Sequence, residues 1–273
     1  MRSGETSARQ PVLFLGHGSP MNAIEDNPFH QSWAKLGARW ADAYGRPQLI
    51  LCISAHWLTR GWWLTAMERP PTIHDFGGFP RELFEQQYPA PGAPEWARQI
   101  ADQLQAAVAG VQVRLDTSEW GFDHGSWGVI KPMFPAADIP MIQLSMDYHQ
   151  PPAVHFALGR ALRGLRDEGV LVVGSGNIVH NLRSFRMGAV DVPAYDWARQ
   201  FDAFAAERIA TGDLQGLCDF QSLGAVAQNA HPTYEHYLPL LYAAGAVHEG
   251  EKPQFFNVEF QAASIAMRSV LWT

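Results

Sequence analysis

A chain of 273 residues with 47% hydrophobic and 17% charged residues has the composition of a folded globular body, enough for one large domain or two small ones. Its formal charge of -7 and scattered lysines and arginines argue against nucleic acid and anionic membrane surfaces as partners. The longest apolar runs, Leu49 to Ile53 and Val170 to Val173, fall far short of the roughly 20 residues that a membrane-crossing helix needs.

Met1 to Gln10 is polar and lacks the apolar core of a signal peptide, so it reads as a disordered or extended tail and the expected location is the cytoplasm. The first strand is expected at Pro11 to Leu15, followed at once by Gly16-His17-Gly18-Ser19-Pro20. A histidine between glycines at a strand end sits in a turn with open access. A helix is expected from Asn27 to Trp40, then a strand from Gln48 to Ile53 that leads into Ser54-Ala55-His56-Trp57. Ala66 to Pro94 holds too many prolines and glycines for regular structure and reads as an ordered loop over a site, with His74 in it as a substrate contact.

Beyond it the pattern alternates again. Helices are expected at Pro94 to Ala109, Ala153 to Glu168 and Trp197 to Thr211, and strands at Val111 to Leu115, Pro140 to Leu144 and Val170 to Val173. His124 falls in a loop after the third strand, His180 follows the fifth, and His236 lies beside a helix start marked by Pro232. The alternation predicts one α/β domain over residues 11–273, with a central mostly parallel, mixed sheet flanked by helices and its site at strand C-terminal ends.

The two cysteines, Cys52 and Cys218, have no paired spacing and read as reduced thiols. Eleven histidines stand out, because imidazole is the commonest metal ligand. Any one strand-end histidine is an ordinary loop residue; three of them on neighbouring parallel strands, with two more in Gly- or Pro-bounded loops, point to an open metal site. His30, His149, His155 and His248 read as helical or surface positions. Gly174-x-Gly176 follows a strand as a dinucleotide loop would, but Val179 stands where the third glycine belongs. Ser19 and Ser126 lie near histidines without the Gly-x-Ser-x-Gly turn of a hydrolase nucleophile.

Six segments in order carry a resemblance. They are Gly-His-Gly-Ser-Pro-Met at 16–21, Ser-Ala-His-Trp at 54–57, Thr-Ile-His-Asp-Phe-Gly-Gly-Phe-Pro at 72–80, Gly-Phe-Asp-His-Gly-Ser-Trp at 121–127, Gly-Asn-Ile-Val-His-Asn-Leu at 176–182 and Glu-His-Tyr-Leu-Pro-Leu at 235–240. Together they resemble the class III extradiol ring-cleaving dioxygenases, in the 4,5-DOPA dioxygenase branch, from about residue 11 to the end. The resemblance implies one divalent metal per chain, Fe(II) for activity with Zn(II) possible as isolated, and a catechol such as DOPA plus O₂ as partners.

By the same resemblance His17, His56 and His236 match metal ligands, with Glu235 as the competitor for the third place. His180 matches the proton-shuttling histidine, which in zinc-loaded members can also coordinate, and His124 matches a second histidine near the substrate hydroxyls. The local pattern His231-Pro232-Thr233-Tyr234 departs from the commoner Asn-Pro-Thr-Pro of the family. The implied product is a muconic semialdehyde. Trp57, Trp127 and Phe76 are candidate walls for the flat ring. A zinc-dependent hydrolase and a non-catalytic metal-binding module are the rival readings on this scaffold, and no protein partner is predictable.

Overall fold

Short runs of Val, Leu and Ile become the strands of one sheet in the computed structural model, which describes residues 8–186 and 192–273. In chain order the strands are β1 Val12–Gly16, β2 Leu49–Leu58, β3 Trp62–Thr65, β4 Val113–Asp116, β5 Met141–Met146, β6 Val170–Gly176, β7 Pro253–Phe256, β8 Phe260–Gln261, β9 Ile265–Ala266 and β10 Ser269–Trp272. Eight of them form the order β4-β3-β5-β2-β6-β1-β10-β7, while β8 and β9 pair separately. At the centre β5, β2, β6 and β1 run parallel, and antiparallel pairings begin at β3 on one side and β10 on the other. The sheet is therefore mixed, with the expected parallel middle.

The central strands are buried on both faces, as parallel strands covered by helices must be. Alternate residues of β2 divide between two cores: Leu49, Leu51 and Ile53 pack with Ile100, Leu104, Leu158 and Phe201, whereas Ile50 and Cys52 pack with Trp33, Trp127 and Ile130. Helices Pro94–Ala107, Pro152–Leu162, Asp196–Thr211 and Leu238–Gly245 cover the first face. Helices Pro28–Ala38 and His124–Met133 cover the second. Asn27 caps the first of these by accepting from the amides of Phe29 and His30, with Pro28 at the first helical position.

Register then sets the site. Gly16 pairs with Gly176 and Ser54 with Ser175, so the C-terminal ends of β1, β6 and β2 lie side by side. Gly174 and Gly176 have a packing reason: a Cβ at either would stand 2.3 Å from the Pro239 carbonyl oxygen or 2.1 Å from that of His236. The glycines let the turn carrying His236 rest directly on β6, and the resemblance to a phosphate loop has no other content.

Some elements differ from expectation. The stretch Ala153 to Glu168 is a helix only to Leu162 and tightens into a 3-10 turn over Arg163–Glu168. His124 opens a helix rather than lying in a loop, with Asp123 as its cap; Gly125, Gly128 and Pro132 hide the helical pattern. The C-terminal strands and β3 are too short for their periodicity to show. Of the expected tail, residues 1–7 lie outside the described residues, while Gln10 is buried and accepts from Trp40 Nε1 at 2.9 Å. Cys52 is buried, Cys218 half-buried, and both are free. Among the described residues no helix is long and apolar enough to cross a membrane.

Candidate metal centre

Three imidazoles meet at the rim where β1, β6 and β2 end. His17 follows β1, His56 lies near the end of β2, and His236 hangs in the turn before helix Leu238–Gly245, where its carbonyl accepts from the Asn177 amide at 2.8 Å. Their ring centroids form a nearly equilateral triangle with sides of 5.1, 5.2 and 5.0 Å. One ligand-type atom from each lies within 4.8 Å of the other two.

The other ring nitrogen of each imidazole is already engaged. Nδ1 of His17 is 3.0 Å from Ser175 Oγ, and that hydroxyl donates its own proton to the Gly125 carbonyl, so it can only accept from His17. Nδ1 of His56 is 3.2 Å from a carboxylate oxygen of Asp75, and Nδ1 of His236 is 3.0 Å from Oε1 of Glu235. An ionised carboxylate also only accepts. In its neutral form each of the three rings therefore holds its proton on Nδ1 and turns an Nε2 lone pair inward.

The spacing tests whether a metal fits. Two nitrogens bound about 2.1 Å from one ion at angles between 90° and tetrahedral stand about 3.0 to 3.4 Å apart. Nε2 of His17 and Nε2 of His56 are 3.3 Å apart. Two lone pairs facing at that distance repel unless a cation or a proton lies between them. On His17 and His236 a proton is disfavoured, because burial, then the charges of neighbouring imidazoles, holds both well below the ordinary histidine range. Burial also opposes charge on His56, but the hydrogen bond to Asp75 and the nearby carboxylates outweigh it and raise its pKa. A divalent cation that accepts nitrogen ligands fits this donor set. Asp75 and Glu235, each one hydrogen bond behind a ligand, balance its two charges.

His180 and His124 flank the triangle. The rings of His180 and His236 stack face to face, with centroids 3.5 Å apart and planes 4° from parallel. His180 also belongs to a second group, with Glu235 and His236, whose ligand atoms lie within 4.8 Å of one another. Burial, then the charge of His231, pushes the pKa of His180 down to about 3, well below the near-neutral titration expected of a proton shuttle. It is neutral at neutral pH, the form that takes up a proton. His124 is also lowered by burial, its centroid lies 4.0 Å from that of His56, and its Nδ1 is 2.9 Å from Asp75.

These histidines form one wall of a cavity of about 470 Å³. Apolar side chains also line it: Phe76, Phe79, Leu182, Phe185 and Ile265. Leu182 is 65% exposed at the mouth. Sequence reading anticipated Phe76 and missed the other four, which carry no pattern of their own. Two expected ring walls lie elsewhere, since Trp57 stacks on Trp120 and buried Trp127 donates its indole N–H to the Ile73 carbonyl.

His74 is not among the residues that line the cavity; its Nε2 is 2.9 Å from the Gln86 carbonyl and its ring packs against Phe76, Phe84 and Trp127, so it fastens the loop. Its neighbour Asp75 is the carboxylate that reaches the site. No spacing rule links Asp75 to His124, 49 residues on, and only the folded loop reveals the pair. Glu235, the expected competitor for the third ligand place, meets His236 Nδ1 and the Thr233 hydroxyl through its Oε1.

The family model for the catalytic LigB subunit of aromatic ring-opening dioxygenase matches residues 11–268. A protein of Escherichia coli K12 named 4,5-DOPA dioxygenase extradiol is 48% identical over 273 residues, covering 97% of this chain and 95% of that one. A protein of the same name from Beta vulgaris is 34% identical over 267 residues, covering 96% of each. A crystal structure of an uncharacterized Escherichia coli K12 protein superposes with a TM-score of 0.81 at 42% identity, covering 96% of this chain and 99% of that one.

Proposed function

Since the chain belongs to the family of the catalytic LigB subunit of aromatic ring-opening dioxygenases, we propose that it opens the ring of a catechol such as DOPA beside the diol, inserting both atoms of O₂ to give a muconic semialdehyde. The observation that carries this reading is the inward convergence of three Nε2 lone pairs at one end of an apolar cavity, with two further histidines at its edge. His17, His56 and His236 would hold the metal, which the family implies and which we take to be Fe(II). Bound there, Fe(II) acidifies a catechol hydroxyl and provides the electron path between ring and dioxygen that organic side chains lack.

The remaining chemistry belongs to the chain. His180, neutral and, among the described residues, without a side-chain hydrogen-bond partner of its own, accepts a proton from the second substrate hydroxyl and returns it as the oxygen–oxygen bond breaks. The negative charge of the bound diol raises its low pKa toward the range where both transfers are easy. His124, with Nδ1 committed to Asp75, offers Nε2 to orient a hydroxyl and balance developing charge. Phe76, Phe79 and Phe185 pack on the flat ring, and with Leu182 they keep bulk water from the reacting atoms.

The test is anaerobic loading with Fe(II), admission of air, and a catechol panel followed by an oxygen electrode and absorbance. Stoichiometric O₂ uptake with a yellow ring-fission product is expected, together with loss of bound metal in His17→Ala and His56→Ala. Turnover of esters or amides without O₂ by the zinc-loaded protein, and none of catechols with Fe(II), would replace the dioxygenase with a hydrolase.

A further inference from the structure

We propose that Asp75 is a positioning residue whose single carboxylate holds both His56 and His124 in the Nδ1–H tautomer, aiming one Nε2 at the metal and the other at the substrate. The roles named for the two Nε2 atoms rest on the dioxygenase reading; the tautomers do not.

The geometry is specific to the carboxylate. One oxygen of Asp75 lies 2.9 Å from His124 Nδ1 and also accepts from the His124 backbone amide at 2.9 Å. The other lies 3.2 Å from His56 Nδ1. The two oxygens thus bridge a strand and a helix start, which the Ser54 hydroxyl also joins by donating to Asp123 Oδ1 at 2.7 Å. His56 and His124 are held close because Gly125 has no side chain: a Cβ there would stand 2.8 Å from His56 Cδ2. Burial alone would raise the Asp75 pKa, but the two imidazole hydrogen bonds hold the carboxyl well below its ordinary range. It stays ionised and can only accept.

The loop does not depend on this carboxylate for its place. Thr72 bridges to Phe122, the Ile73 amide donates to the Phe122 carbonyl at 2.7 Å, Trp127 donates to the Ile73 carbonyl, and Thr72 Oγ1 accepts from the Tyr88 amide at 2.9 Å. Fastened on both sides, the segment delivers Asp75 as a fixed double acceptor. A fixed acceptor on the far nitrogen sets ring orientation and raises the basicity of the near one.

Long-range proton–nitrogen correlation NMR of the metal-free full chain, in slightly alkaline buffer, reads the tautomers directly. Wild type should show Nδ1–H for both His56 and His124; Nε2–H on either, with no variant needed, overturns the proposal. In Asp75→Asn the amide nitrogen has no lone pair, so one of the two rings should switch to Nε2–H. Zn(II) affinity, measured against a chromophoric chelator, should fall about 10- to 100-fold. Thr72→Val loosens the loop and leaves the carboxylate intact, so it should change neither readout. Unchanged tautomers and affinity in Asp75→Asn, or the same loss in Thr72→Val, would reduce Asp75 to a loop fastener. Correct tautomers in a protein that consumes no catechol would sink the dioxygenase reading and leave the positioning role standing.

Discussion

Two groups of histidines in this fold, all buried except the half-buried His56, differ in how they are arranged. His17, His56 and His236 turn free Nε2 atoms toward one point, whereas His155 and His231 are each alone. His155 sits inside helix Pro152–Leu162, where its Nδ1 is 2.9 Å from the Tyr242 hydroxyl, which in turn accepts from Trp62 Nε1. His231 lies 2.6 Å through Nε2 from the Ile178 carbonyl. Burial pushes both down to about 4, much as it lowers His17 and His236. A depressed imidazole pKa is therefore a mark of burial, and convergence is the mark of a site.

The comparison breaks most visibly at the ligands. His56→Ala should abolish stoichiometric metal binding, measured by elemental analysis after dialysis, while His155→Gln keeps full metal content. Next comes the proton carrier: His180→Ala should keep the metal yet lose about 10²- to 10⁴-fold in kcat. Equal loss of metal in that variant would make His180 a ligand despite its stacking on His236.

The lone histidines should show instead in stability. Both are neutral in the fold and titrate near 6.5 when unfolded, so the unfolded chain binds more protons at acid pH. Their contribution is complete above about pH 6.5 and is lost as pH falls from there to about 4, roughly 1.4 kcal/mol per pH unit for each group. Denaturant melts across that window should show a slope smaller by about one proton in His155→Gln. An unchanged slope would mean that His155 is protonated in the fold. The smallest effect belongs to the apolar wall: Phe185→Ala should raise KM about tenfold with little change in metal content, through about 1.4 kcal/mol of lost ring contact.

The parallel centre of the sheet was legible because β1, β2 and β6 each begin with a continuous apolar run, and each run is followed within a few residues by a histidine. Strand ends on neighbouring parallel strands must share a rim, so His17, His56 and His180 could be brought together from the pattern alone. The helix at His124 was not legible, because glycines and a proline serve close packing there at the expense of propensity. Nor was the exchange of roles between His74 and Asp75. Adjacent residues in an irregular loop face different ways, and only tertiary contacts decide which one turns inward. The wall of Phe79, Leu182, Phe185 and Ile265 gathers from three separate segments, and nothing in the spacing of apolar residues marks a cavity face from a core face.

The central claim is that one ion is held by Nε2 of three specific imidazoles. A crystal structure of the metal-loaded protein, with anomalous scattering to locate the ion, tests it most directly. The expected result is His17, His56 and His236 each about 2.0 to 2.2 Å from the ion through Nε2, with His180 outside its reach. An ion bound elsewhere, or one bound by His180 in place of His236, would contradict it.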